Sequence, residues 1–279
     1  MIDVAIATNR VTADPDEPAL VAALAREGVR GVRAAWDDED VDWGSFAATV
    51  IRSTWDYPLA YDEFVSWVSR VERLVNPADV VVWNADKRYL DDLAQRGVPT
   101  IETTYSRRGA DAVLPDTDFV VKPTVGGGSR GARRFAPGDA EAARAHIDAL
   151  ADQGRVAMIQ PYVETVATLG ETDVIVIDGD LSHAVRKHAP INLAASAAPA
   201  GPVSVERVEP GGAERSVVAA ALAAVPFASP LCFARVDLVS TTLGPAVIEV
   251  ELIEPFLFLD HDARAAQGLA RAIVRRVRN

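Results

Sequence analysis

Four side chains near the C-terminus have the types and the spacing to do chemistry together. Arg235 and Asp237 stand two residues apart in ARVDLV, and Glu249 and Glu251 two apart in VIEVELIEP. Residues two apart in a β-strand share a face. A turn near Gly244 separates the strings, so they read as antiparallel neighbours on which Asp237, Glu249 and Glu251 converge beside Arg235. Val236, Leu238, Val250 and Leu252 then face the core. Three carboxylates on one face repel unless cations sit among them. Oxygen donors without His or Cys favour magnesium, with manganese as the alternative. A solvated acidic sheet face has the same residue types. The apolar flanks and the arginine on the same face weigh towards metal.

A second group is cationic. Lys122 ends an apolar strand, Phe119 to Lys122, and the loop TVGGGSRGARRF follows. Gly126, Gly128 and Gly131 fit GxGxxG, but the dinucleotide-binding version requires a helix directly after the loop. Here Pro137-Gly138 breaks the chain first, and no Gly-Lys-Ser/Thr ends the loop as in a Walker A motif. A hairpin flap remains. Its free N–H groups can fold over phosphates, and a lysine on a buried strand needs an anionic partner. A third group is RSTWDYP, leaving the third strand of the chain. Arg52 can grip a carboxylate in bidentate fashion. Ser53, Thr54 and Asp56 offer hydrogen bonds, Asp56 can also hold an ammonium group, and Trp55 and Tyr57 give walls. That suits a small zwitterion such as an amino acid; a capped loop with packed aromatics fits the string nearly as well. His183 lies on a hairpin strand and can face a bound nucleotide.

The elements that must position these groups change character along the chain. Strands at Asp3 to Thr8, Val29 to Trp36 and Ala48 to Arg52 alternate with helices at Pro15 to Glu27 and Ala60 to Leu74, which predicts a mostly parallel sheet. Val80 to Trp83 reads as a strand, Asp86 to Gln95 and Asp139 to Gln153 as helices, and Val156 to Val163 as a strand. Val174 to Ile177 and Leu181 to Arg186 flank Asp178-Gly179-Asp180, a hairpin signal. Residues 189–212 read as a long loop, Ala213 to Val225 and His261 to Val277 as helices. Acidic residues number 40 against 28 basic ones, a net charge of −12, which disfavours nucleic acid and anionic membrane as partners. The single cysteine excludes an internal disulfide framework. No apolar run approaches the ~18 residues of a membrane span. MIDVAIATNR is not a signal peptide, and the expected location is the cytoplasm.

A lysine before a glycine flap, a hinge strand, an Arg-x-Asp strand and a strand in the place of Glu-x-Asn, in that order, resemble the ATP-grasp superfamily. The resemblance implies a mixed α/β and α+β fold. Residues 1–83 would form the α/β pre-ATP-grasp domain that contributes to substrate binding. Residues 84–163 would form the central lobe with the flap, and 164–279 the C-terminal lobe with the metal site, the two lobes clamping ATP. It further implies that Lys87 and Lys122 contact phosphates under a flap containing Gly127, Gly128 and Ser129. In MIQPYV, Gln160 would accept the adenine amino group, and the backbones of Tyr162 and Val163 would pair with the ring edge. Glu171 would bind ribose, Lys187 a further phosphate, and Arg235 would steady an acyl phosphate. Asp237 and Glu249 would hold two magnesium ions, Glu249 bridging. Glu251 stands where the superfamily has Asn and still supplies an oxygen. The proline that normally follows comes late, after Glu254, and APINLAASAAPA at 189–200 lacks an arginine that many relatives place there.

RSTWDY, WNADKRYL, GDLSHAVRK and EVELIEPFLFL resemble one branch in particular, which contains the D-cycloserine-forming cyclo-ligase acting on O-ureidoserine. The implied activity is ATP- and magnesium-dependent ligation: a small amino-acid-like carboxylate is activated as an acyl phosphate, and an amide or ring C–N bond forms. A small-molecule kinase and a non-catalytic nucleotide-binding subunit are the other functions the fold serves; the Arg235, Asp237 and Glu249 set weighs against the last. Monomer and homodimer are both open.

Overall fold

The computed structural model describes residues 2–188, 204–227 and 230–278. Its strands form three separate sheets. The first is parallel, in the order β2-β1-β3-β4, from β1 (Ile2–Thr8), β2 (Val29–Ala35), β3 (Ala48–Ser53) and β4 (Leu74–Val75). Helix α1 (Glu17–Arg26) crosses from β1 to β2, and α2 (Tyr61–Arg70) from β3 to β4. Val4, Ala5, Ile6 and Ala7 are all fully buried, the unbroken apolar run of a strand covered on both faces. The helix expected over Ala60 to Leu74 stops at Arg70, because Leu74 pairs with Thr49 as a strand.

Two short helices follow, α3 (Ala78–Asn84) and α4 (Tyr89–Gln95). The expected strand Val80 to Trp83 is therefore helical. Its β-branched residues favour a strand locally, but Val80 and Val81 are buried in different cores, which the helical turn allows and which overrides propensity. The second sheet is antiparallel, in the order β5-β8-β6-β7, from β5 (Thr104–Ser106), β6 (Phe119–Pro123), β7 (Arg133–Phe135) and β8 (Ala157–Pro161), with α5 (Ala140–Ala151) packed on it. The glycine loop joins β6 to β7, so it is a hairpin flap.

After α6 (Thr165–Leu169) comes the third sheet, ordered β11-β10-β9-β12-β13: β9 (Glu171–Ile177), β10 (Asp180–His188), β11 (Ser204–Val208), β12 (Phe233–Thr241) and β13 (Gly244–Glu251). Asp178 and Gly179 turn β9 into β10 with φ of 55° and 87°, the left-handed pair of a two-residue hairpin. Helices α7 (Gly212–Ala223) and α8 (Ala265–Arg278) complete the chain. The expected loop over 189–212 thus contains a strand at its far end. Residues 189–203, including the expected arginine-free stretch 189–200, lie outside the described residues. One apolar core joins β1, β3 and α1 to Ile175, Phe233 and the inner face of α8. Asn76 and Asn84 stitch the same junction: their side-chain amides bond the backbone at Cys232, Phe233, Val250 and Leu252. These contacts fix the open end of β12 and β13 against the first unit.

Candidate active site

Period two and antiparallel pairing put the C-terminal carboxylates together. Arg235 pairs across the strands with Glu251, and Asp237 with Glu249. One oxygen each from Asp237, Glu249 and Glu251 lies within 4.8 Å of the others. On the opposite face Val236, Leu238, Val250 and Leu252 belong to one apolar core. Arg235 is buried and grips Asp237 in bidentate fashion, Nε to Oδ1 at 2.7 Å and Nη2 to Oδ2 at 2.8 Å. Its Nη2 also donates to Glu251, and Nη1 donates to the Phe256 carbonyl at 3.1 Å. Burial works to raise Asp237, but the arginine outweighs it and the carboxyl lies below its ordinary value. Burial pushes Glu251 up to about 8 against the pull of Arg235.

Three lysines face this cluster. Lys87 Nζ lies 3.1 Å from Glu249 and also donates to the Gly126 carbonyl at the root of the flap. Burial would lower Lys87, yet Glu249 overrides it and the ammonium is held above its ordinary value. Lys122 has no ion-pair partner among the described residues. Burial lowers its pKa, the neighbouring Lys87 lowers it further, and Glu249 opposes both. Lys187 bridges Glu171 at 3.0 Å and Asp173 at 3.1 Å, and those acids raise its pKa against burial. Asp173 escaped the sequence reading. It is fully buried, sits 3.7 Å from Arg235 Nε, and its Oδ1 has no hydrogen-bond partner among the described residues. Burial and the facing Asp237 raise its carboxyl. The rule that found the other pairs applies to it, since Glu171 and Asp173 are two apart on one strand.

At the hinge, Gln160 is buried and its Nε2 donates to Thr103 Oγ1 at 2.9 Å. The Tyr162 N–H already donates to the Asp118 carbonyl at 2.7 Å, so its expected backbone pairing with a base narrows to the carbonyl. The Arg134 guanidinium lies 3.6 Å from the Tyr162 ring centroid and pairs with Asp118 and Glu164. Val163 is half-buried and packs against Ile101, Val166, Val239 and Ala246. Gly127, Gly128 and Ser129 form the flap tip, where Gly128 and Ser129 both take left-handed backbone, φ 60° and 59°.

The string 52–57 divides. Arg52 is fully buried, with Nη2 3.2 Å from Asp14 and 3.5 Å from Asp16. The expected bidentate grip on a substrate carboxylate does not fit a guanidinium enclosed between two carboxylates of its own chain. Ser53 and Thr54 are equally enclosed, so their expected hydrogen bonds to substrate are corrected on the same ground. Asp16 in turn accepts from the N–H groups of Leu257 and Leu259, both at 2.8 Å. In the other half, Trp55 and Tyr57 reach the neighbourhood of the cluster. Trp55 Nε1 donates to the Glu254 carbonyl at 3.0 Å, and its ring lies 4.5 Å from that of Phe256. Asp56 is half-buried and accepts from Trp36 at 2.9 Å. Tyr57 stacks on Phe64; burial, then the charges of Glu254, Glu249 and Glu251, raise its hydroxyl well above the ordinary value. From the flap, Arg130 donates to the Trp55 carbonyl at 2.6 Å. His183 does not face the site: its Nε2 lies 3.0 Å from the Leu257 carbonyl.

Clustered oxygens on β12 and β13, cations opposite them and a glycine hairpin are groups that could hold a polyphosphate and a divalent metal, and the oxygen donor set fits magnesium or manganese. No helix among the described residues is long and apolar enough to cross a membrane. Residues 4–76 match the family described as the N-terminal domain of D-cycloserine synthetase DcsG. The whole chain is 38% identical to the cycloserine biosynthesis protein DcsG of Streptomyces lavendulae, over 95% of each chain. The crystal structure of D-cycloserine synthetase DcsG superposes with a TM-score of 0.89 at 35% identity, covering 99% of both chains. At 16% identity, the D-alanine–D-alanine ligase of Bacillus anthracis in complex with ATP shares the fold, with a TM-score of 0.72 over 99% of this chain and 97% of that one. The chain belongs to the D-cycloserine synthetase family of ATP-grasp ligases, ATP-dependent enzymes of mixed α/β and α+β fold.

Proposed function

We propose that this ligase activates the carboxylate of a small amino-acid-like substrate as an acyl phosphate and joins it to an amine, as an amide or in a ring, cycloserine-type cyclisation included. The observation that carries the reading is the cross-strand set Arg235, Asp237, Glu249 and Glu251 opposite Lys87 and Lys122. Binding alone needs no such concentration of carboxylates. A carboxylate oxygen would attack the γ-phosphorus with ADP leaving, and the amine would then attack the carbonyl carbon with phosphate leaving. Lys87, Lys122 and Lys187 hold the phosphates, with Gly127, Gly128 and Ser129 closing over them. Gln160, the Tyr162 carbonyl and Val163 take the adenine, and Glu171 the ribose. Asp237, Glu249 and Glu251 would hold two magnesium ions, which neutralise charge developing on the transferred phosphoryl group. Arg235, fixed by Asp237, turns its remaining N–H towards the acyl phosphate. Trp55 and Asp56 wall the substrate side, and Tyr57, enclosed against Phe64, backs them rather than lining it.

The proposed division at 83/84 and 163/164 is supported by the sheets, each of which falls within one span. A screen of amino acids and related carboxylates for ADP release, with mass spectrometry of the product, tests the reading. Free phosphate with a ligated or cyclised product supports it; a stable phosphorylated product favours the kinase.

Two expected results follow from the cation and acid geometry. Lys122→Met weakens ATP binding by about 1–3 kcal/mol, the scale of a lost charge-assisted contact. The nucleotide-free protein keeps or gains thermal stability, because burial penalises this ammonium. Calorimetry with ATP and a melting curve check both. Glu251→Asn keeps an oxygen for Arg235 and for a metal, so kcat falls less than about tenfold while the magnesium requirement rises. A magnesium titration at saturating ATP reads this. Loss of several orders of magnitude would instead make Glu251 a base or a substrate contact.

A further inference from the structure

The acid row across the sheet has a third member that the chemistry above leaves without a role. Asp173 of β9 pairs directly opposite Asp237 of β12, which pairs directly opposite Glu249 of β13. Like charges directly opposite on neighbouring strands destabilise a sheet, and Asp173 has no solvent contact to relieve it. Its Oδ1 lacks a hydrogen-bond partner among the described residues, a further cost to the fold. An apolar side chain of similar size would carry neither the like charge nor the unpaired oxygen. A carboxylate that burdens the fold yet stands beside two functional cations is placed for function rather than for packing.

Its contacts say which function. Lys187 Nζ sits between Glu171 at 3.0 Å and Asp173 at 3.1 Å, held from two sides. One oxygen each from Glu171, Asp173 and Asp237 also lies within 4.8 Å of the others, but the ammonium already bridges the first two, so the cation here belongs to the chain. We infer that Asp173 is a positioning residue: it fixes the Lys187 ammonium on the sheet face that carries Asp237, with Arg235 Nε 3.7 Å from the same Asp173 oxygen that Lys187 holds. Without it Lys187 keeps one anchor, Glu171, at the edge of the site, and the long side chain recovers its rotamers. The inference rests on the reading of Lys187 as a phosphate contact.

Asp173→Asn keeps the shape and removes the charge. Four proteins form a cycle: the parent, Asp173→Asn, Lys187→Met and the double variant. Melting temperature, ATP affinity by calorimetry and kcat are measured on each. Asp173→Asn alone lowers kcat by about 30–100-fold and ATP affinity several-fold, with the melting temperature unchanged or higher. In the Lys187→Met background the same change alters ATP affinity and kcat by less than about threefold, because the group it acts through is gone. A lower melting temperature with kcat per folded molecule unchanged overturns the inference in favour of packing. Effects that multiply fully in the double variant overturn it too, since Asp173 would then act without Lys187. The ATP-binding cycle needs no turnover. Failure of the parent protein to release ADP would therefore count against the ligase reading and leave this test standing.

Discussion

Asp237→Asn abolishes turnover, lowering kcat by about a thousandfold or more, which is roughly 4 kcal/mol of transition-state stabilisation. The size follows from the position. Asp237 is the centre of the acid row, in register with both Asp173 and Glu249, and it takes both donors of the Arg235 fork. The substitution removes one proposed metal ligand and replaces one accepting oxygen of the fork with an amide N–H. The guanidinium then meets a donor where it had an acceptor, so its aim at the reacting carbonyl is lost as well. Asn is close in volume, and the apolar face of β12 is untouched, so the protein folds. Glu249→Gln has the same consequence for turnover and also releases Lys87 from its 3.1 Å partner. A single-turnover assay beside a melting curve checks the pair. Turnover that survives either change, or that persists in excess chelator, removes the metal role from this cluster.

Arg52→Ala destabilises the protein by about 3–5 kcal/mol, the cost of removing one partner from a buried ion pair. At this chain length that lowers the melting temperature by roughly 10 °C. Asp14 and Asp16 would be left facing each other out of water, and Asp16 also carries the Leu257 and Leu259 N–H groups. The loop after β13 is thus loosened indirectly. Its carbonyls stay bonded to Arg235 and His183, so the KM for the carboxylate, measured per folded molecule, changes little. A large rise in KM with an unchanged melting temperature would restore Arg52 to the substrate site.

Arg52 also illustrates what could be read from the sequence. Its string was visible as a polar run at a strand end, but its fate depends on Asp14 and Asp16, carried by the loop after β1, and no local pattern links them. The β12–β13 cluster was legible because both halves obey the two-residue period and one short turn brings them into register. The same period marks Glu171 and Asp173. Their relation to Asp237 depends on β9 lying between β10 and β12, a strand order that joins residues more than sixty positions apart. Val80 to Trp83 misled through propensity: three valines and a tryptophan favour a strand, and only packing against two cores makes them helical. The hairpin at Asp178-Gly179 and the flap after Lys122 were legible because turn chemistry is local. The occupied Tyr162 N–H was not, since its acceptor, Asp118, stands just before β6, more than forty positions away in the chain, and only the β6–β8 pairing brings the two together.

The central claim is that the substrate carboxylate becomes an acyl phosphate before the new bond forms. It is tested most directly by oxygen-18. The carboxylate substrate identified by ADP release is prepared with labelled carboxyl oxygens and turned over with unlabelled ATP in unlabelled water. The phosphate released with the product is then weighed by mass spectrometry. Attack of the carboxylate oxygen on phosphorus, followed by cleavage of the carbon–oxygen bond, predicts labelled oxygen in that phosphate. Unlabelled phosphate at full turnover would contradict the account, because phosphorus would then never have been bonded to the substrate carboxylate.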